Sequence, residues 1–403
     1  MNASHATSTL LRNARIVLPE RTAEQASLLI DNNRIARVFE SLTDLPSTSD
    51  SIIDLDGLTI LPGFIDVHIH GAVGVDTMQA NAADLERVSR FLATGGVTGW
   101  LPTLVPAPAA DYAHAIDAID RAMKEQGPAG GQPPPGARIL GVHYEGPFVN
   151  SAQCGALHSE FFRSFSGARD LDDLPLVEQA GAKHVMSLAP EIEGGVELVR
   201  ELNRRGWIVS LGHTRANIDQ LDKAFEAGAH HMTHFMNAMT PLHHRAPGPV
   251  GWGLSRDDVT CDIIADGIHL DRNMLRLLLK LKGPDRLSLI SDAVAAAGLG
   301  DGDYQIWGET ITVKGGRTSN ATGHIAGSVI TMHDAARTML SVGASEIEVA
   351  RMAATNPARL LGIDQDCGSI EVGKRADLVA LDSDGKVLLT LIGGAIVFDA
   401  RDA

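Results

Sequence analysis

Histidine and acidic side chains recur in this sequence at positions where they could bind a divalent metal ion. His68 and His70 are two residues apart in GFIDVHIH, so both side chains would face the same side of a strand. Four more residues of these types end other short apolar segments: Glu145, His213, His234 and Asp292. Imidazole and carboxylate ligands favour Zn2+, Fe2+, Mn2+ or Co2+ over Ca2+ or Mg2+. A lone HxH pair is common in solvated loops, but the joint occurrence predicts a metal centre.

These residues end strand-like segments within a regular alternation of strands and helices. Eight such segments occur between roughly residues 63 and 363: 63–70, 97–105, 137–145, 183–191, 207–213, 229–235, 259–266 and 286–292. Eight strand–helix units predict a (β/α)8 TIM barrel, an α/β fold whose active sites lie at the C-terminal ends of the strands. A doubly wound open sheet is the alternative, but no GxGxxG motif opens the first unit.

Both ends of the chain are rich in short strands with Asn-Asn, Asp-Gly and Gly-Gly turns. They predict a small β-sandwich domain formed by both termini, because the ends of a domain often lie close together. We expect residues 1–62 and 364–403 to form this domain, and residues 63–363 to form the barrel. A β-hairpin insertion is expected at about 304–328, where it would overhang the barrel mouth.

The composition excludes several classes of partner. With 34 basic and 50 acidic residues the net charge is -16, which argues against nucleic acid or an anionic membrane surface as the main partner. Cys154, Cys261 and Cys367 form no CxxC pair, so neither a disulfide framework nor a thiolate zinc site is expected. No apolar run could cross a membrane and no signal peptide is recognisable, so we expect a cytoplasmic protein.

Seven short motifs are spread over nearly the whole chain. They are PGFIDVHIH at 62–70, HYEGPFVN at 143–150, LGHT at 211–214, THFMNAM at 233–239, IIADGIHL at 263–270, SDA at 291–293 and GHIAGS at 323–328. The first is typical of the metal-dependent amidohydrolase superfamily, and EGPF with THFMNAM is more specific. Together they resemble the N-acetylglucosamine-6-phosphate deacetylase family within that superfamily.

The resemblance implies roles for the metal-binding candidates. Glu145, His213 and His234 would hold the principal metal ion. His68 and His70 would allow a second ion that Glu145 bridges. One or two divalent ions per subunit are therefore expected, with Zn2+ as the first candidate and Fe2+, Mn2+ or Co2+ as alternatives.

The resemblance also implies an activity, hydrolysis of the N-acetyl amide of N-acetylglucosamine 6-phosphate to glucosamine 6-phosphate and acetate. Asp292 would take a proton from the attacking water and give it to the leaving amine. In the loop after EGP, the family usually has a histidine or glutamine two residues after a glycine. Here Leu157 holds that position and His158 follows. We expect His158 to be the counterpart, contacting the substrate and donating to the carbonyl oxygen.

Other residues are implied to contact the substrate: Asn237, Ala238, Arg245 and His269. Arg245 is the only cation in THFMNAMTPLHHRAPGP. Its planar guanidinium suits bidentate contact with phosphate, which a lysine could not reproduce. It would act within its own subunit or across the homodimer that the resemblance favours.

Other functions stay open at the level of sequence. One is deacetylation of a different N-acetyl amino sugar, such as N-acetylgalactosamine 6-phosphate or an unphosphorylated sugar. A different amidohydrolase, either a dihydroorotase-like cyclic amidase or an aminohydrolase, is another. Many cyclic amidases use a carboxylated lysine at the fourth strand, but KHVMSLAPE ends without a lysine. An inactive barrel acting as a scaffold is the third, although such relatives usually lose metal ligands.

Overall fold

Eight parallel strands form a barrel in the middle of the chain. The computed structural model describes residues 8–41, 45–46, 49–127 and 134–401. The barrel strands are Phe64–Ile69, Val97–Leu104, Gly141–Glu145, Lys183–Leu188, Ile208–Leu211, His231–Met232, Thr260–Ile264 and Leu287–Ile290. Each pairs in parallel with the next, and Arg138–Ile139 adds a short extra pairing beside the second strand. The predicted (β/α)8 barrel is confirmed.

The barrel closes where the chain leaves the eighth strand and meets the first. The Asp292 N–H donates to the His68 carbonyl at 2.9 Å. The Ser291 hydroxyl donates to the buried Asp66 carboxylate at 2.5 Å. These bonds place the Asp292 side chain beside His68 and His70.

Helices pack around the barrel, and those of nine or more residues are amphipathic. The helices are Ala82–Thr94, Ala109–Gln126, Gly195–Arg204, Ile218–Glu226, Gly248–Ser255, Arg272–Lys282, Met332–Ser341, Glu346–Ala350 and Asn356–Leu360, with a π-helical turn at Arg351–Thr355. In the first, Leu85, Val88 and Leu92 are buried at helical spacing, and Asn81 with Asp84 forms a capping box. The described connection between the third and fourth strands has only 3-10 turns, at Ser151–Gln153, Ser159–Phe161 and Ala168–Leu171. Within the described ranges, no helix is both long and apolar enough to cross a membrane.

A second sheet is built from both ends of the chain. Its strands are Ser8–Val17, Thr22–Asp31, Arg34–Phe39, Ser51–Asp54, Thr59–Pro62, Leu378–Leu381, Val387–Ile392 and Ala395–Asp399. Thr59–Pro62 pairs antiparallel with Leu378–Leu381, which joins the N-terminal strands to the C-terminal ones. Leu11, Ile16 and Leu28 bury their side chains in a separate apolar core. The sheet is the predicted small β-sandwich domain formed by both termini, while the domain limits remain a prediction.

A buried ion pair connects the terminal sheet to the barrel. Arg138 Nη2 lies 2.7 Å from Asp377 Oδ2. The Asp377 carboxylate also accepts from the Gly393 N–H at 2.7 Å, and its backbone carbonyl accepts from the Gly63 N–H at 2.9 Å. Burial alone would raise the pKa of Asp377, but Arg138 and Arg375 outweigh it and hold that pKa below its usual value. Asp377 therefore bonds to both sides of the domain junction.

The insertion after the eighth strand is a three-stranded antiparallel sheet rather than the predicted two-stranded hairpin. Its strands are Gly302–Ile306, Glu309–Lys314 and Arg317–Ser319. The third strand follows a tight turn in which Gly315 and Gly316 have positive φ angles of 57° and 78°. Two-residue hairpin turns require such angles, so the Gly-Gly pair makes the extra strand possible. Two shorter strands, Gly71–Ala72 and Val75–Asp76, pair just after the first barrel strand.

Candidate functional site

The five predicted metal ligands come together at the C-terminal mouth of the barrel. His68 and His70 have their Nε2 atoms 3.2 Å apart. His70 Nε2 also lies 3.3 Å from Glu145 Oε2. The other oxygen of Glu145 lies 2.9 Å from Nε2 of both His213 and His234. The Glu145 carboxylate therefore stands between two groups of imidazoles.

Three of the histidine and acidic residues of the cluster adopt a left-handed backbone that non-glycine residues rarely take. The φ angle is 48° at His213, 30° at His234 and 49° at Asp292, each just past the end of its strand. At His234, the Asp262 carboxylate accepts the backbone N–H, and the Asp262 carbonyl accepts the Phe235 N–H at 2.8 Å. These contacts hold a strained turn, of the kind that clusters at functional sites. The three residues with this strained backbone are residues whose side chains line the cavity at the barrel mouth.

The hydrogen bonds of His213 show why a cation fits this group. Its Nδ1 lies 2.8 Å from the Gln153 carbonyl oxygen, which can only accept, so Nδ1 carries the proton. Nε2 then presents a lone pair, yet it faces Glu145 Oε1 at 2.9 Å and His234 Nε2 at 3.1 Å. Lone pairs directed at one another repel unless positive charge lies between them. Two overlapping groups have ligand atoms within 4.8 Å of one another: His68, His70 and Glu145; and Glu145, His213 and His234.

Asp292 is the second carboxylate of the centre. Its Oδ1 lies 3.2 Å from His70 Nε2 and 3.5 Å from His68 Nε2. Burial alone would raise the pKa of Asp292, but His68 and His70 outweigh it and hold that pKa below its usual value. Burial lowers the pKa of His70, but Asp292 and Glu145 outweigh it and raise it to about 10. The two ionised carboxylates thus attract positive charge, as a metal centre requires.

The cluster lines a cavity of about 260 Å³ that opens at the barrel mouth. Asn237 and Ala238 line it from the segment after the sixth strand, and His269 lines it from the segment after the seventh. The Asn237 amide nitrogen is buried and has no hydrogen-bond partner among the described residues, so it can donate to a ligand. His269 Nδ1 lies 2.6 Å from Asp266 Oδ2, which fixes the orientation of the ring. The cavity therefore combines a candidate metal centre with hydrogen-bonding side chains.

A comparison with known protein families shows that residues 59–397 match the amidohydrolase family. The chain is 36% identical over 405 residues to the N-acetylglucosamine-6-phosphate deacetylase of Bacillus subtilis (strain 168), with 99% of each protein covered. The chain belongs to the amidohydrolase family. It is also 37% identical over 375 residues to the N-acetylgalactosamine-6-phosphate deacetylase of Escherichia coli O157:H7, covering 93% of this chain and 95% of that protein.

Solved structures agree with the assignment of this amidohydrolase. The N-acetylglucosamine-6-phosphate deacetylase of Pasteurella multocida superposes with a TM-score of 0.87 at 31% identity, covering 96% of this chain and 99% of the other. The Mycobacterium smegmatis enzyme in complex with N-acetyl-D-glucosamine-6-phosphate gives a TM-score of 0.86 at 30% identity, covering 97% and 100%. The amidohydrolase family is metal-dependent, and this chain has a candidate cluster for the metal.

Two of the predicted substrate-contacting residues lie outside the cavity of this amidohydrolase. Leu157 lines the cavity, whereas the next residue, His158, places its Nε2 3.0 Å from the Trp307 carbonyl and its Nδ1 3.3 Å from Glu160. Donation from His158 to a substrate carbonyl would require the ring to leave these contacts. Arg245 is exposed, and its Nη1 lies 2.8 Å from the neighbouring His244 ring. Both predictions concern long loops whose three-dimensional path the local sequence does not determine.

Several residues that support the site were not singled out from the sequence. Asp66 holds Ser291 next to the general-base candidate, and Asp262 holds the His234 backbone. Asp66 precedes His68 by two residues in IDVHIH, so their shared strand face was a usable signal. Trp307 lines the cavity with its ring centroid 5.1 Å from that of His70. Its only signal was a tryptophan just before the glycine of a hairpin turn.

Proposed function

We propose that this amidohydrolase hydrolyses the N-acetyl amide of N-acetylglucosamine 6-phosphate, giving glucosamine 6-phosphate and acetate. The observation that carries the proposal is the position of Asp292, 3.2 Å from His70 in the cavity that Glu145, His213 and His234 also line. A metal-binding cluster with an adjacent carboxylate can both activate an amide and move a proton. Relatives that match nearly the full length carry the name of this activity.

Glu145, His213 and His234 would hold the principal divalent ion, and His68 with His70 would hold a second. When bound, such an ion polarises the amide carbonyl and lowers the pKa of water. We propose Zn2+ as the natural ion, with Fe2+, Mn2+ or Co2+ as alternatives, since imidazole with carboxylate suits all four. The tautomer that Gln153 imposes leaves His213 Nε2 ready to serve as a ligand.

Asp292 would act as general base and then as general acid. Its carboxyl is ionised, because the neighbouring imidazoles outweigh burial and hold its pKa below the usual value. It can therefore accept a proton from the attacking water at neutral pH and transfer it to the amine nitrogen, which must be protonated to leave. Asn237, Ala238 and His269 line the same cavity and would bind the sugar phosphate.

The exposed Arg245 would bind the phosphate, either in its own subunit or across a homodimer. If so, Arg245→Ala should raise KM strongly for the 6-phosphate and hardly change turnover of the free sugar, because only the ester presents an anion. Steady-state kinetics with both substrates checks this. Equal losses for the two substrates would show that Arg245 only supports the loop.

We also infer a cytoplasmic homodimer. The described cysteines, Cys154, Cys261 and Cys367, are all free, as expected in a reducing compartment. The negative net charge gives no reason to propose nucleic acid or a membrane surface as a partner.

A second candidate substrate is N-acetylgalactosamine 6-phosphate, since one relative at 37% identity bears that name. The deciding experiment measures acetate release from N-acetylglucosamine, N-acetylgalactosamine and N-acetylmannosamine, each free and 6-phosphorylated, with metal-loaded protein. We expect the highest kcat/KM for N-acetylglucosamine 6-phosphate. A preference for the galactose epimer would select the second candidate, and no acetate from any of the six would refute the deacetylase.

A further inference from the structure

Trp307 occupies a position that is unfavourable for a large side chain. It forms the turn between Gly302–Ile306 and Glu309–Lys314, with a φ angle of 53° followed by 79° at Gly308. Two-residue hairpin turns with both φ angles positive prefer asparagine, aspartate or glycine at the first position. A bulky residue at positive φ is an outlier whose explanation lies in function or packing. The turn itself does not need an indole.

The indole of Trp307 packs against the candidate metal centre. Its ring centroid lies 5.1 Å from that of His70, with the ring planes at 85°. The Trp307 carbonyl accepts a hydrogen bond from His158 Nε2 at 3.0 Å, which ties the turn to the loop after the third strand. The indole therefore contacts His70, while His158 holds the backbone of the turn at the mouth of the barrel.

Trp307 also separates two cavities. The catalytic cavity of about 260 Å³ lies on one side. On the other side is a second cavity of about 560 Å³, whose lining combines apolar residues such as Met78 and Val105 with polar ones such as Asp111 and His114. Trp307 is the residue that lines both. Removing the indole would therefore open the catalytic cavity toward a larger space of mixed polarity.

The orientation of the bound substrate decides which of its groups contacts Trp307, so this inference rests on the proposed function. Asn237 and His269 follow the sixth and seventh strands, whereas Trp307 packs over the first strand, on the other side of the mouth. With its carbonyl at the central cluster and its sugar against Asn237 and His269, the amide would direct its acyl carbon toward Trp307. We propose that Trp307 determines acyl specificity by restricting the amide to a group about the size of acetyl.

The test compares the parent with Trp307→Asn and Trp307→Phe. Asparagine suits the positive φ angle, so the turn should fold while the wall is removed; phenylalanine keeps much of the wall. The control is Tyr304→Ala, which removes an aromatic side chain from the same inserted sheet outside both cavities. The substrates are the N-acetyl, N-propionyl and N-butanoyl forms of glucosamine 6-phosphate and the methyl glycoside of the N-acetyl form. Metal content and thermal unfolding are measured for every variant.

We expect the parent, Trp307→Phe and Tyr304→Ala to favour N-acetyl over N-butanoyl by at least about tenfold in kcat/KM, as added methylenes in a closed pocket typically cost. Trp307→Asn should reduce that preference to about threefold or less. Its kcat/KM for the methyl glycoside should not rise to a similar extent. The acyl role is refuted, while the deacetylase stands, if Trp307→Asn keeps the parental preference. It is also refuted if kcat/KM rises as much for the methyl glycoside as for the N-butanoyl compound. A parent inactive on the N-acetyl compound would instead refute the proposed function, and this inference with it.

Discussion

Asp292 differs from the other acidic residue of the centre in what surrounds it. Glu145 lies 2.9 Å from two imidazole nitrogens and belongs to both ligand groups, whereas Asp292 belongs to neither and sits beside His68 and His70. The backbone of Asp292 is fixed by hydrogen bonds to His68 and Ser328. At the scale of single residues, one carboxylate is thus suited to holding a metal ion and the other to moving a proton.

We expect Asp292→Asn to keep the fold and the metal but to lower kcat by orders of magnitude. The change is nearly isosteric, yet an amide cannot shuttle a proton. Glu145→Gln is the matched comparison and should lose the metal itself. Steady-state kinetics and metal analysis of both variants check the assignment. If the Asp292→Asn protein keeps more than about a tenth of kcat, the activation barrier has risen by no more than ~1.4 kcal/mol. That rise would be too small for the loss of a general base.

At the scale of elements, the end of the first barrel strand supplies His68 and His70, which belong to only one of the two ligand groups. We expect the double variant His68→Ala with His70→Ala to lose one ion while Glu145, His213 and His234 keep the other, because the two ligand groups share only Glu145. Full removal of metal by chelation should abolish activity in the parent, with recovery on adding Zn2+, Mn2+, Fe2+ or Co2+. Metal analysis and activity measured together check both statements. An unchanged metal content in the double variant would exclude a second site.

Lys282, the last residue of the helix before the eighth strand, is expected to affect stability and not catalysis. The buried Lys282 donates to the carbonyl oxygens of Gly253, Arg256 and Val259 at 2.7–2.8 Å. Lys282→Met leaves those acceptors without a partner and should lower the free energy of unfolding by roughly 3 kcal/mol. The exposed Lys280 on the same helix is the control, and Lys280→Met should change it by less than about 0.5 kcal/mol. Denaturant titration measures both, and equal effects would contradict the explanation.

The elements were easier to predict from the sequence than the loops. Short apolar strands alternating with amphipathic helices indicate a barrel by their spacing, and that spacing put all five candidate metal ligands at the strand ends. The strand expected at 137–145 is interrupted at Leu140, between Arg138–Ile139 and Gly141–Glu145, which was not predicted. Just after the interruption, Gly141 has a φ angle of 147°, and a Cβ there would lie 1.9 Å from the Lys183 carbonyl oxygen, so only glycine fits. His158 and Arg245 lie in long loops, whose path depends on distant contacts such as the Trp307 carbonyl.

At the scale of the whole molecule, Asp377 holds the barrel and the terminal sheet together. Asp377→Asn should destabilise the protein by about 3–5 kcal/mol, because it leaves the Arg138 charge largely buried without its partner. The folded-state pKa of Asp377 lies below the ordinary value. Its contribution is therefore present above that ordinary value, at neutral pH, and is lost as the pH falls through the folded-state pKa. Thermal unfolding at several pH values checks this, and a parent–variant difference that persists undiminished in acid would contradict it.

The pairing of Thr59–Pro62 with Leu378–Leu381 has a consequence for biosynthesis. During translation the early strands leave the ribosome long before Leu378–Leu381 exists, so Thr59–Pro62 first has an open edge on that side. An open edge can pair with another chain, which makes the nascent protein vulnerable to aggregation at this stage. The barrel strands emerge in the order in which they pair, so the barrel can assemble during synthesis. The terminal sheet closes only when the last strands have been made.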